Sequence, residues 1–222
     1  MSGRLENKVG LITGAAQGLG KEMAKAMISQ GATIIITDIN EKTLSETSNE
    51  LSCEHMVLDV TKEDQWKKVI ADIEKNIGSL NILVNNAGIG GGGDVEETDL
   101  ESWHLVHSVN LDSVFLGCKL SLPLMRKSGN GSIINISSMS GIVASHNMSA
   151  YNSSKADVRH LSKSVALHCA KSTNLVRCNS IHPVFTRTAM VQSMIDSAPD
   201  RNIEEKLVKQ IPLRKLAEPI DI

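Results

Sequence analysis

Tyr151 and Lys155 are the residues whose types and spacing speak most directly of chemistry, and Tyr151 is the only tyrosine in the chain. Four residues apart on a helix, they share one face with their Cβ atoms about 5–6 Å from each other. An ammonium at that range favours phenolate over phenol, so the spacing predicts a Tyr151 pKa lowered from the usual value of about 10. A phenol lowered in this way can act as a general acid or base near neutral pH. Ser138 adds a hydroxyl just beyond the apolar run Ile133–Ile136. That run reads as a buried strand, and in open α/β sheets ligands sit at the C-terminal ends of strands. Taken alone, Tyr-x-x-x-Lys also fits a core tyrosine beside a surface lysine.

A second group is suited to holding an anion. Thr13-Gly14-Ala15-Ala16-Gln17-Gly18-Leu19-Gly20 lies between a strand-like run and a helical one. Glycines there permit a tight turn and close backbone approach to a pyrophosphate, and the helix N-terminus offers free N–H groups. The spacing is Gly-x-x-x-Gly-x-Gly, and no Gly-Lys-Ser/Thr follows, which argues against an NTP-cleaving loop. Asp38 ends the next strand, 18 residues beyond Gly20, where a carboxylate can accept hydrogen bonds from both ribose hydroxyls of an adenosine. It would repel a 2′-phosphate, and no Arg or Lys stands between Gly14 and Gly20 or directly after Asp38. NAD is therefore expected over NADP. The alternative for Asp38 is a helix cap.

Alternating elements must position these groups. Strands are expected at Val9–Ile12, Thr33–Thr37, His55–Leu58, Asn81–Val84, Ser132–Ile136 and Val176–Ile181. Helical spacing marks Leu19–Ser29, Glu41–Leu51, Lys62–Ile77, one long stretch from Leu100 to Met125, and the helix carrying Tyr151 and Lys155 to about Lys171. Thr188–Gln210 reads as a mobile helical insert broken at Pro199. Helices between fully apolar strands mean βαβ crossovers and a parallel sheet covered on both faces. The expected fold class is α/β, a Rossmann-like doubly wound parallel sheet in one domain spanning residues 1–222.

Composition excludes several classes. The chain has 222 residues, 41% hydrophobic with 16 glycines, the balance of an ordinary globular domain. Its net charge is −2 from 23 basic and 25 acidic residues, mixed along the sequence, so a nucleic-acid partner is not expected. Met1–Lys8 is polar, unlike a signal peptide, and no apolar run nears the length of a bilayer span. Cys53, Cys118, Cys169 and Cys178 show no close pairing, which favours free thiols in a reducing compartment and a soluble, cytoplasmic protein. His104 and His107 share a helix face, but no third ligand is evident and no metal is expected.

With the glycine turn, Asp38, Asn85-Asn86-Ala87-Gly88, Ser138 and Tyr151-x-x-x-Lys155 in this order, the chain resembles the short-chain dehydrogenase/reductase family over nearly its whole length. Within it, Ser113-Val114-Phe115-Leu116-Gly117-Cys118 and Asn179-Ser180-Ile181-His182-Pro183 resemble bacterial NAD-linked hydroxysteroid and cyclic-alcohol dehydrogenases. The resemblance implies that Tyr151 exchanges a proton with the substrate oxygen, that Ser138 hydrogen-bonds the same oxygen, and that Lys155 holds the nicotinamide ribose and lowers the Tyr151 pKa. It implies that Asn110 disturbs its helix and holds a proton-relay water. Gly14, Gln17, Gly18, Leu19 and Gly20 would cradle the pyrophosphate, Asp59 and Val60 the adenine, and Asn86, Ala87 and Gly88 the adenosine side. Pro183, Val184, Thr186 and Thr188 would hold the nicotinamide carboxamide. Read alone, Asn85-Asn86 is a turn, Asn110 a polar helix residue and Thr188 an N-cap.

Two features depart from the family pattern. Val184 stands where glycine commonly follows the proline, and a β-branched residue disfavours positive φ. The sequence given stops at Glu218-Pro219-Ile220-Asp221-Ile222, before the family's further helix and seventh strand. The apolar residues Met139, Ile142, Val143, Met148, Phe185, Met190 and Met194 are expected to line a pocket for a hydrophobic secondary alcohol or ketone, a hydroxysteroid or cyclic alcohol among them. His146 and Arg187 would bind a polar end or stay solvated. The family also implies a homodimer or homotetramer. The rival readings are a 3-oxoacyl-[acyl-carrier-protein] reductase, which Asp38 disfavours, and a catalytically silent dinucleotide sensor.

Overall fold

Strands alternate with helices along the chain because runs of β-branched and aliphatic residues alternate with stretches of helical period. The computed structural model of the protein describes residues 3–172, 175–196 and 202–222. The elements are β1 (Val9–Thr13), α1 (Gly18–Ser29), β2 (Thr33–Asp38), α2 (Glu41–Leu51), β3 (Glu54–Val57), α3 (Glu63–Asn76) and β4 (Ile82–Asn85). Next come α4 (Leu100–His107), a π-helical turn (Ser108–Asp112), α5 (Ser113–Lys127), β5 (Asn130–Ile136) and α6 (Ser149–Lys171). β6 (Leu175–Ile181), α7 (Ala189–Asp196) and α8 (Ile203–Lys209) follow. The expected break at Pro199 lies outside the described residues.

The six strands form one parallel sheet in the order β3-β2-β1-β4-β5-β6. The order reverses between β1 and β4, and the crevice at such a switch point is where this architecture binds ligands. Successive side chains on a strand point to opposite faces, so β1 and β2 feed two cores. Val9, Leu11 and Ile35 pack with Trp66, Ile73, Leu83, Val114 and Val158 on one side. Ile12, Ile34 and Ile36 pack with Ala24, Leu44 and Val84 on the other. A third cluster, Val191, Leu207, Ile211 and Leu216, joins α7 and α8 to the last residues. No described helix is long and apolar enough to cross a membrane.

Three expectations about elements need correction. Asn85 is not in a turn: it is the buried last residue of β4, donating through Nδ2 to Asn135 Oδ1 at 2.8 Å. The stretch from Leu100 to Met125 is not one helix but two, separated by the π-helical turn. Val184 brings no backbone strain, because its φ is not positive; its carbonyl accepts from Thr186 Oγ1 at 2.9 Å.

Candidate active site

The first βα turn is shaped by residues without side chains. Gly14 and Gly18 have φ of 62° and 60°, a region closed to most L-residues. A Cβ on Gly14 would stand 2.7 Å from Ala87 Cα, so the turn and the β4 loop touch backbone to backbone. Thr13 ties them further. Its Oγ1 accepts from the N–H groups of Asn86 and Ala87, each at 3.0 Å, and Asn86 Nδ2 donates to the carbonyls of Thr13 and Gly14, each at 2.9 Å. Sequence reasoning gave Thr13 no role, and only its place at a strand end could have signalled one. Gly20 lies behind the turn, where a Cβ would meet Gly14 O at 2.6 Å. α1 opens without a side-chain cap, leaving first-turn N–H groups for a ligand.

Asp38 faces the same crevice. Its Oδ2 accepts from Ala16 N–H at 3.2 Å and its Oδ1 from Asn40 N–H at 3.0 Å. The helix-cap alternative does not hold, since Asn40 caps α2 by accepting from Thr43 N–H at 3.1 Å. Asp59 lies two residues beyond β3, its Oδ1 accepting from Thr61 N–H and Oγ1 at 3.0 and 2.7 Å. Val60 beside it accepts at its carbonyl from the Trp66 ring N–H at 2.9 Å.

α6 forms because Ala150, Ser154, Lys155, Val158, Ser162 and Cys169 recur at helical spacing and are all buried. Lys155 is 4% exposed, and its ammonium donates to Ile136 O at 2.9 Å. Its Nζ lies 5.7 Å from the centre of the Tyr151 ring. Ser137, absent from the expected site, donates from Oγ to the Lys155 carbonyl at 2.7 Å and so anchors the end of β5 to α6. Ser138 follows in extended conformation, its Oγ accepting from Ser140 N–H at 3.1 Å.

The expected sign of the Tyr151 shift is overturned. Burial raises the phenol above its ordinary pKa of 10.0, with Ser138 pulling the other way. Burial also lowers the Lys155 amine to about 8. Withdrawal from water disfavours the charged form of both groups, and this outweighs the attraction that the spacing suggested.

Asn110 is fully buried within the π-helical turn. Its Oδ1 accepts from Ile89 N–H at 2.8 Å, and its Nδ2 donates to Ile89 O at 3.0 Å and Ser154 Oγ at 3.2 Å. A Cβ on Gly88 would come 3.2 Å from Asn110 Oδ1 and 3.4 Å from Lys155 Nζ. The β4 loop, the π-helical turn and α6 therefore meet at one point.

A cavity of about 820 Å³ runs past these groups. Gly14, Gln17, Gly18, Leu19, Asp38, Asp59, Val60, Asn86, Ala87 and Gly88 line one part of it, and Ser138, Tyr151, Lys155, Pro183, Val184, Thr186 and Thr188 the rest. Of the expected site, Gly20 and Asn110 stand behind the wall. Thr188 also caps α7, its Oγ1 accepting from Val191 N–H at 3.5 Å. Met139, Met148, Phe185, Met190 and Met194 contribute apolar surface as expected. Ile142 and Val143 do not reach the cavity and stand 53% and 60% exposed. Arg187 is instead paired with Glu204 and Glu218 at 2.8 and 3.2 Å, and His146 is exposed. His107 stacks on Trp103 at 4.2 Å and bonds to its carbonyl.

A backbone cradle open to phosphate, an acidic residue at the second strand and a buried phenol–amine pair in one cavity suit a nicotinamide dinucleotide. Known proteins agree. The chain is 39% identical to the 3-beta-hydroxysteroid dehydrogenase of Comamonas testosteroni over 197 residues, 88% of this chain and 77% of that one. It is 36% identical to the NADP-dependent (R)-specific alcohol dehydrogenase of Lentilactobacillus kefiri, covering all of this chain and 88% of the relative. The crystal structure of a variant actinorhodin polyketide ketoreductase with NADPH superposes with a TM-score of 0.91 at 27% identity, over 96% of this chain and 86% of that one. The family model described as short chain dehydrogenase matches residues 8–198, and the chain belongs to that oxidoreductase family.

Proposed function

We propose that the protein interconverts a hydrophobic secondary alcohol and its ketone with NAD(H), through Tyr151. The observation that carries this reading is the convergence of Ser138, Tyr151 and Lys155 on the cavity that Asp38 and the glycine turn also line. The dinucleotide supplies the hydride acceptor or donor. Tyr151 Oη gives a proton to the substrate oxygen or takes one from it, and Ser138 Oγ holds that oxygen in place. Lys155 has already given one of its three donors to Ile136 O; the others serve the nicotinamide ribose. Asn110 keeps its turn out of regular α geometry, so that a relay water can be held beside Lys155. Gln17, Gly18 and Leu19 hold the pyrophosphate, Asp59 and Val60 the adenine, and Pro183, Val184, Thr186 and Thr188 the carboxamide.

NAD is favoured over NADP by Asp38. Its charge faces the cavity, and the one Lys or Arg among the lining residues, Lys155, sits beside Tyr151 and is bonded to Ile136 O, so none is placed at Asp38 to neutralise a 2′-phosphate. The methionine-rich lining favours an apolar substrate of adaptable shape, such as a hydroxysteroid or cyclic alcohol. The test is a screen for NADH and NADPH formation over a panel of secondary alcohols. Turnover of hydrophobic members with NAD is expected; turnover confined to short charged acids would end the substrate reading, and a preference for NADP the cofactor reading.

A further inference from the structure

His182 lies one residue beyond β6, and no role above uses it. Its ring spans two partners: Nδ1 is 3.0 Å from the Ser138 carbonyl oxygen and Nε2 is 2.9 Å from Ser180 Oγ. A carbonyl oxygen can only accept, so in the neutral ring Nδ1 carries the proton and Nε2 takes the hydrogen of the Ser180 hydroxyl. The neighbouring backbone ties the same two strand ends together. Ser137 N–H donates to Ile181 O at 2.8 Å and Met139 N–H to Pro183 O at 3.0 Å. Both bonds run from the β5 end to acceptors on the β6 end. Pro183 has no N–H to add to this ladder, and the Ser138 carbonyl takes its donor from the His182 ring.

We propose that His182 is a positioning residue for Ser138, fixing the peptide plane from which the Ser138 hydroxyl is presented to the substrate oxygen. Ser180 in turn fixes the ring and its tautomer. The proposal rests on the dehydrogenase reading, in which Ser138 orients that oxygen. A ring acting this way alters the chemical step, and its side-chain contacts, to Ser138 O and Ser180 Oγ, reach neither the glycine turn nor Asp38.

The test uses the full chain with NAD and cyclohexanol. His182→Ala is expected to lower kcat roughly 10- to 100-fold, with KM for NAD held within about twofold, the scale expected when a reacting group is misplaced. His182→Asn, whose amide nitrogen can take the place of Nδ1, is expected to restore most of the rate, and His182→Gln is not. Independently of activity, nitrogen-15 spectra of the wild-type ring at neutral pH are expected to show the proton on Nδ1. A proton on Nε2 overturns the proposal, as does equal kcat in all variants, or equal loss in all three with thermal midpoints falling in step. A wild-type chain that turns over no alcohol in the wider panel fails the dehydrogenase reading itself, and this proposal with it. An active wild type with indifferent variants fails this proposal alone.

Discussion

At Tyr151 and Lys155 the spacing and the surroundings pull in opposite directions, and the surroundings win. The four-residue interval is visible in the sequence; the depth of burial is not, because β5, the β4 loop and the π-helical turn close over Lys155 from distant parts of the chain. On the proposed reading, a phenol raised by burial above its ordinary value donates to a ketone and must lose a proton before accepting one from an alcohol. Alcohol oxidation is therefore expected to quicken, and ketone reduction to slow, as pH rises from 7 to about 9; initial rates in both directions check the signs. Tyr151→Phe is expected to cost roughly 10²- to 10⁴-fold in turnover with NADH affinity kept, as read by fluorescence titration. Lys155 carries a linkage consequence. Its amine titrates at about 8 in the fold against 10.5 ordinarily, so the unfolded chain binds the extra proton between those values. Burying the charge costs roughly 3 kcal/mol below pH 8, and the cost is relieved as pH rises toward 10.5. Lys155→Met forfeits the bond to Ile136 O, worth about 1 kcal/mol, and is expected to be net stabilising by about 1–2 kcal/mol at pH 7 while turnover collapses. Urea melts of the two proteins decide it.

Among the elements, the turn at Ser108–Asp112 shows most plainly what local pattern can and cannot tell. Hydrophobic period carries straight through Leu100–Met125, because a π-helical turn changes only which carbonyl each N–H finds. What fixes it is Asn110 reaching Ile89 and Ser154, contacts between segments far apart in sequence. Its expected place in the site came from family resemblance; its buried, three-bonded state came only from the structure. Asn110→Ala strands the N–H and carbonyl of Ile89, and a loss of about 1–3 kcal/mol is expected, again by urea melts. The glycine turn was the opposite case. Its strand-before, helix-after context was readable because φ near +60° leaves glycine as the favoured residue at Gly14 and Gly18. Gly14→Ala drives a Cβ into Ala87 and is expected to weaken dinucleotide binding at least tenfold, measured by calorimetry.

For the molecule as a whole, the parallel sheet and its two-sided core were legible because buried parallel strands write themselves as unbroken apolar runs. The strand order was not spelled out by any local pattern, and neither was the pairing of Thr186 with Ala217, which joins the segment after β6 to the last residues. Phe115 and Leu167 stand 51% and 68% exposed on α5 and α6, features that suit association of copies. A homodimer or homotetramer is the expected state, and sedimentation finding only monomer at micromolar concentration would reject it. One detail of the fold also equips the molecule to be watched. The chain has two indoles. One of them, Trp66, is wholly enclosed and hydrogen-bonded to the carbonyl of Val60, the residue that walls the crevice on its other side. Whatever presses on Val60 therefore perturbs a chromophore held in the dark, dry interior, so the emission colour of unlabelled protein becomes a running readout of occupancy at that end.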